Sequence, residues 1–96
     1  MGKTKQQIDA TVYGFVQGVS FRYYTQREAI RLGVVGWVAN QANGTVRVVA
    51  QGTELQLNRL LQFLHKGSPI ARVEQVKVAW GEPTKNFTGF NVRYHI

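Results

Sequence analysis

Hydrophobic and polar positions alternate from Ile8 to Tyr13, with Ile8, Ala10 and Val12 on one side and Asp9, Thr11 and Tyr13 on the other. A period of two marks a strand with one buried face. Residues 1–7 are polar and aperiodic, which reads as a flexible N-terminal extension to a domain over residues 8–96. Beyond a segment punctuated by Gly14 and Gly18, the residues Phe21, Thr25, Ala29 and Leu32 fall near helical spacing. They predict a helix over Phe21–Leu32, with Ser20 as its N-cap and Gly33 as a left-handed C-cap. Val34–Asn40 is apolar and β-branched, Thr45–Gln51 alternates, and the Asn43-Gly44 pair between them predicts a hairpin. Thr53 can cap a second helix, whose Leu57, Leu60, Leu61 and Leu64 form one apolar stripe and which Gly67 and Pro69 terminate. Val76, Val78 and Trp80 alternate as a fourth strand, and Phe90, Val92 and Tyr94 fit a short extra C-terminal strand.

The order is βαββαβ. Two βαβ halves in one small chain specify a ferredoxin-like α+β sandwich, because right-handed crossovers put both helices on the same face of an antiparallel sheet. That architecture serves RNA binders, regulatory domains and small enzymes alike, so the activity has to be argued from particular residues.

Composition narrows the choice. A chain of 96 residues, 44% hydrophobic and 18% charged, fits one domain. Without cysteine, thiol catalysis, Cys-ligated zinc, iron–sulfur clusters and a disulfide framework are all excluded. A cytoplasmic location is the simplest expectation. No apolar stretch approaches the about 20 residues of a membrane span, so no membrane partner is expected. The formal charge of +7 favours anionic partners. The basic residues are scattered from Lys3 to Arg93, whereas a nucleic-acid face clusters them. A small phosphorylated ligand and plain solubility are both compatible with this charge.

The segment Gly14-Phe15-Val16-Gln17-Gly18-Val19-Ser20-Phe21-Arg22 leaves a strand and enters a helix. Unpaired N–H groups at a helix N-terminus, the helix dipole and two glycines together suit an anion. Arg22 can add a planar fork that binds two phosphate oxygens at once. A tight turn beside a solvated arginine is the plainer alternative. The lysine and hydroxyl residue of a nucleoside-triphosphate loop are missing after Gly18. Asn40, a polar residue ending an apolar strand, either bonds to the neighbouring turn or orients a water beside that loop. His65 suits a helix C-terminus, His95 has no evident partner, and Asp9, Glu28, Glu54, Glu74 and Glu82 form no metal-binding group. Most of Tyr13, Tyr23, Tyr24, Trp37 and Trp80 fall at packing positions.

Taken together, Gly14 through Arg22 and Gly36-Trp37-Val38-Ala39-Asn40 through Gly44-Thr45-Val46 closely resemble the two signatures of the acylphosphatase family. The resemblance spans nearly all of the chain after its first residues. It implies a hydrolase free of metal and cofactor, which splits the carboxyl–phosphate bond of small acyl phosphates into a carboxylate and inorganic phosphate. Acetyl phosphate, carbamoyl phosphate and 1,3-bisphosphoglycerate represent that substrate class. By the same resemblance Arg22 holds the phosphoryl group, the amides of Phe15, Val16, Gln17, Gly18 and Val19 complete a phosphate cradle, and Asn40 orients the attacking water. Inorganic phosphate or another anion is expected in the site, and the protein is expected to be a monomer.

Two rivals remain at this stage. A small RNA-binding module shares the element order, but Thr45-Val46-Arg47-Val48-Val49 stands where its aromatic motif belongs. A domain that binds an anion without hydrolysing it differs from an enzyme only in turnover.

Overall fold

A computed structural model describes residues 5–94, so His95 and residues 1–4 lie outside the described residues. The elements are β1 (Gln6–Phe15), α1 (Phe21–Leu32), β2 (Val35–Asn40), β3 (Val46–Gly52), α2 (Glu54–Lys66), β4 (Arg72–Gly81) and β5 (Phe90–Arg93). The strands form one sheet in the order β4-β1-β3-β2-β5. β1 thus begins at Gln6, two residues before the apolar alternation does. Gln6 and Gln7 pair with Gly52 and Gln51 of β3, and backbone pairing does not require an apolar side chain.

The pairings β1–β3, β1–β4 and β2–β3 are antiparallel, as expected. The sheet is nevertheless mixed, because β5 pairs with β2 in parallel. The chain crosses from the β4 edge to the opposite edge along one end of the sheet, touching Gln7 and Gln51 on the way. It must then run back antiparallel to β4, the direction that β2 already takes.

Both helices cover one face of the sheet. Ile8, Ala10 and Val12 of β1, Val46, Val48 and Ala50 of β3, Phe21 and Ala29 of α1, and Leu57, Leu60 and Leu64 of α2 form a single buried core. Each of those leucines contributes about 1.5–3 kcal/mol by leaving water. A smaller cluster of Trp37, Ala39 and Val49 lies beneath Phe87 on the other face. There Arg47 donates to both carboxylate oxygens of Asp9.

The helix ends follow the sequence at three of four places. Thr53 and Gln56 form a reciprocal capping box at the start of α2, and Gly33 and Gly67 close the two helices with positive φ. Ser20 departs from expectation. Its φ of 61° and ψ of 24° are left-handed, and its side chain caps nothing. Such a conformation costs a non-glycine residue roughly 1–2 kcal/mol. Of the five aromatics of which most were expected at packing positions, Tyr23 and Trp80 are 55% and 40% exposed. Trp80 lies on the edge strand β4, and Tyr23 turns to solvent from the first turn of α1.

Candidate functional site

The loop between β1 and α1 is anchored by two of its side chains. Val16 and Val19 are buried in the core, while Phe15 points to solvent. Gly18 has a φ of 74° and Ser20 one of 61°, so the chain turns left-handed twice within three residues. Only glycine adopts the first of these without strain. Among the described residues, the backbone N–H groups of Val16, Gln17, Gly18, Val19 and Ser20 donate to no protein acceptor. They lead directly into the N-terminus of α1, whose first turn likewise leaves N–H groups unpaired. The base of the loop is tied down by Ser68, whose hydroxyl donates to the Val19 carbonyl.

Arg22 projects from that first turn. Its Nη1 donates to the Arg93 carbonyl at 3.1 Å, and its guanidinium carbon lies 4.9 Å from the centre of the Tyr94 ring. These contacts use one nitrogen and one flat side of the fork, which leaves further N–H donors for an anion.

Asn40 ends β2, paired in register with Val46. Its Oδ1 is buried and has no hydrogen-bond partner among the described residues. A buried amide oxygen without a partner is costly, so its place is explained best by a guest that supplies a donor. The alternative that Asn40 merely braces the adjacent turn loses its support, since no bond to that turn is made. The turn is braced by other residues: Gln41 Nε2 donates to Thr45 Oγ1, and Thr45 N–H donates to Asn43 Oδ1.

These groups meet in one pocket of about 490 Å3, lined among others by Val16, Gly18, Arg22, Asn40, Val92 and Tyr94. The side chains of Phe15, Gln17 and Val19 are not part of its wall. Gln17 instead reaches the β2–β3 turn, with Nε2 donating to the carbonyls of Gln41 and Thr45. No carboxylate lines the pocket, so its positive potential is unopposed at short range. Among the described residues no group of three or more His, Asp or Glu side chains is placed to hold a metal ion. His65 sits in the last turn of α2 and does not line the pocket.

Sequence reasoning did not assign Ser20, Phe21, Tyr23, Gln26, Val92 and Tyr94 to this pocket. The last two belong to the C-terminal segment, and the parallel pairing of β5 with β2 brings that segment to the site. Nothing local in the sequence signals that pairing. Gln26 takes part through the same strand, since its Nε2 donates to the Phe90 carbonyl.

The family model described as Acylphosphatase matches residues 8–92. An acylphosphatase of Salinibacter ruber is 44% identical over 90 residues, covering 94% of this chain and 95% of the relative. One from Thermococcus kodakarensis is 47% identical over 81 residues, covering 84% and 88%. The crystal structure of acylphosphatase from Bacillus subtilis superposes with a TM-score of 0.90 at 34% identity, covering 93% of this chain and 99% of the other. No helix among the described residues is long and apolar enough to cross a membrane. With one domain matched nearly end to end in sequence and in structure, the chain belongs to the acylphosphatase family of hydrolases.

Proposed function

We propose that this acylphosphatase hydrolyses small acyl phosphates by direct attack of a water that Asn40 orients on a phosphoryl group held by Arg22 and the loop amides. The observation that carries this reading is the convergence of Gly18, Arg22 and Asn40 on one pocket, with the Asn40 oxygen buried and unpaired. The amides of Phe15 to Val19 are read as the cradle. Those of Val16 to Val19 have no protein acceptor among the described residues, as a cradle requires.

The chemistry asks little of the protein beyond position and charge. A carboxylate is a good leaving group, and phosphoryl transfer is driven mainly by alignment and by stabilising charge on the equatorial oxygens. Arg22 and the amides supply donors where that charge develops. Asn40 Oδ1 accepts a hydrogen bond from one O–H of the water, which stays on the oxygen, and so aims the water's lone pair at phosphorus, opposite the carboxylate oxygen. The water oxygen bonds to phosphorus as the phosphorus–carboxylate bond breaks. The water's second proton passes to the phosphate or to the departing carboxylate, so the products are a carboxylate and inorganic phosphate. No acid or base titrating near neutrality is required.

A monomer that holds inorganic phosphate in its resting site is part of the same reading. So is a cytoplasmic location, since a chain without cysteine gains nothing from an oxidising compartment. The test is phosphate release from acetyl phosphate in the presence of EDTA, with Arg22→Ala and Asn40→Ala beside the wild type. Release by the wild type alone supports the reading. Phosphate binding without release would favour an anion-binding domain, and release that stops with EDTA would overturn the metal-free route.

A further inference from the structure

We propose that the side chain of Gln17 is a positioning residue that sets the separation between the phosphate cradle and Asn40. The proposal rests on the reading of the site given above. A side-chain amide carries two N–H donors, and here both are used, at 2.8 Å on the Gln41 carbonyl and at 2.9 Å on the Thr45 carbonyl. Two carbonyl acceptors also fix which way the amide is turned, because its oxygen in that place would face both of them.

The two carbonyls are well chosen for this task. Gln41 follows Asn40 directly, and Thr45 precedes Val46, the β3 partner of Asn40. Gln17 therefore grips the turn on both sides of the strand pair that carries Asn40. The turn itself is a stiff unit, closed by Gln41 N–H to the Thr45 carbonyl at 2.9 Å and by Gly44 N–H to the Gln41 carbonyl at 3.1 Å. On its other side Gln17 stands between Val16 and Gly18, both in the pocket wall. Among the described residues, its two bonds are the only hydrogen bonds joining residues 15–20 to residues 40–46.

In-line attack needs the phosphorus, placed by the loop, and the water, placed by Asn40, at a fixed distance. The other hydrogen-bonded links between the two parts are indirect, running through the β1–β3–β2 ladder and through Arg22 to β5, so Gln17 alone among the described residues ties the loop itself to the turn. A misplacement of about 1 Å between reacting groups can cost roughly 100-fold in rate. Gln17 bears on that distance while leaving the phosphate donors themselves in place, since Arg22 and the loop amides do not depend on its side chain for their charge or number.

The experiment compares Gln17→Ala, Gln17→Met and Gln17→Glu with the wild type, measuring kcat and KM for acetyl phosphate, affinity for inorganic phosphate by calorimetry, and the urea midpoint. Methionine keeps the length of the stem where alanine opens a gap. For alanine and methionine the expected result is a fall in kcat of about 10- to 100-fold with little change in phosphate affinity. Glutamate at pH 7 presents a carboxylate to two carbonyls and is expected to be slower still. Its kcat should recover as pH falls toward the usual carboxyl range near ~4.3, because the protonated acid regains one donor. A purely structural role would lower the urea midpoint, lower kcat and weaken phosphate binding together, and would give no acid-side recovery. Wild-type kcat in the alanine and methionine variants, or a glutamate variant with the pH profile of alanine, would overturn the proposal. Arg22→Ala in the same assay separates the two levels: turnover retained there refutes the site itself, whereas turnover lost there and retained in Gln17→Ala refutes the clamp alone.

Discussion

The Ser68 hydroxyl donates to the Val19 carbonyl at 2.6 Å, a buried bond between residues 49 apart in sequence. It fastens the segment after α2 to the base of the loop that leads into Arg22. Replacing Ser68 by alanine leaves that carbonyl buried without a partner, at a cost of about 1–3 kcal/mol. Urea denaturation of Ser68→Ala should show a loss of this size, and calorimetry should show weaker phosphate binding because the loop is less well held. An unchanged midpoint would mean that water replaces the hydroxyl.

Arg22 supplies a fork as well as a charge. Arg22→Lys keeps the charge but loses the planar pair of donors and the stacking on Tyr94. It should lower kcat/KM for acetyl phosphate by roughly 100-fold or more, the range seen when one donor to a developing oxyanion is removed. Activity within a few-fold of wild type would show that charge alone suffices.

Asn40 should divide binding from turnover. Asn40→Ala removes the buried Oδ1 and leaves the cradle intact. Phosphate affinity is expected to persist while kcat falls by about 100- to 1,000-fold, again the scale of a lost transition-state contact. Joint loss of affinity and turnover would contradict the role of orienting water.

Gly14 and Gly18 frame the same loop but tolerate a methyl group differently. At Gly14, with a φ of 128°, an added Cβ would lie 2.1 Å from the Arg72 carbonyl oxygen of β4. At Gly18, with a φ of 74°, it would meet nothing within 4 Å. Gly14→Ala should therefore cost about 3 kcal/mol or more through displaced backbone, and Gly18→Ala about 1–2 kcal/mol through left-handed strain alone. Chemical denaturation of the two variants tests the contrast, and equal losses would refute it.

Acid should remove a small electrostatic contribution from α1. The hydrogen bond from Arg31 holds the Glu28 carboxyl below the usual carboxylate range, and the partial burial of Glu28 works against it. Since the folded value is depressed, the stabilisation is present above the unfolded pKa of about 4.3 and is lost as pH falls through the folded value. Arg31 is exposed, so solvent screens the pair and the effect is small. Glu28→Gln should be slightly less stable than wild type at pH 7 in low salt, and the difference should vanish by about pH 3 or in roughly 1 M salt. A difference that persists in both conditions would point to packing instead.

Local signals carried most of the fold. The alternation around Val12, the leucine stripe of α2, the Thr53 N-cap and Gly33 each depend on residues close in sequence, and each appears where the pattern puts it. Ser20 does not behave as a cap, because the curl of the loop demands a left-handed residue there and overrides the side chain's preference. Val78 and Trp80 alternate as a buried strand should, yet both are about 40% exposed, since β4 is an edge strand. The direction of β5 follows from which end of the sheet the preceding connection crosses, which no short pattern encodes. For the site, Arg22, Gly18 and Asn40 were open to plainer readings when taken alone and became legible only through the resemblance of the two segments to the family's signatures; the pocket brings them together. Tyr94, Ser68 and the side chain of Gln17 act through tertiary contacts and were not legible.

The position of β1 between β3 and β4 also bears on how the protein reaches its native state. Gln7 pairs with Gln51 on one side and with Gly81 on the other, so the central strand finds both neighbours only after long stretches of chain have been brought back. Closing such loops costs entropy before any contact repays it, so topologies rich in long-range pairings fold more slowly than helical bundles of the same size. The phosphate loop hangs from the end of β1 and is fastened by Ser68, beyond α2. The geometry of the binding site therefore depends on contacts between parts of the chain that are far apart in sequence.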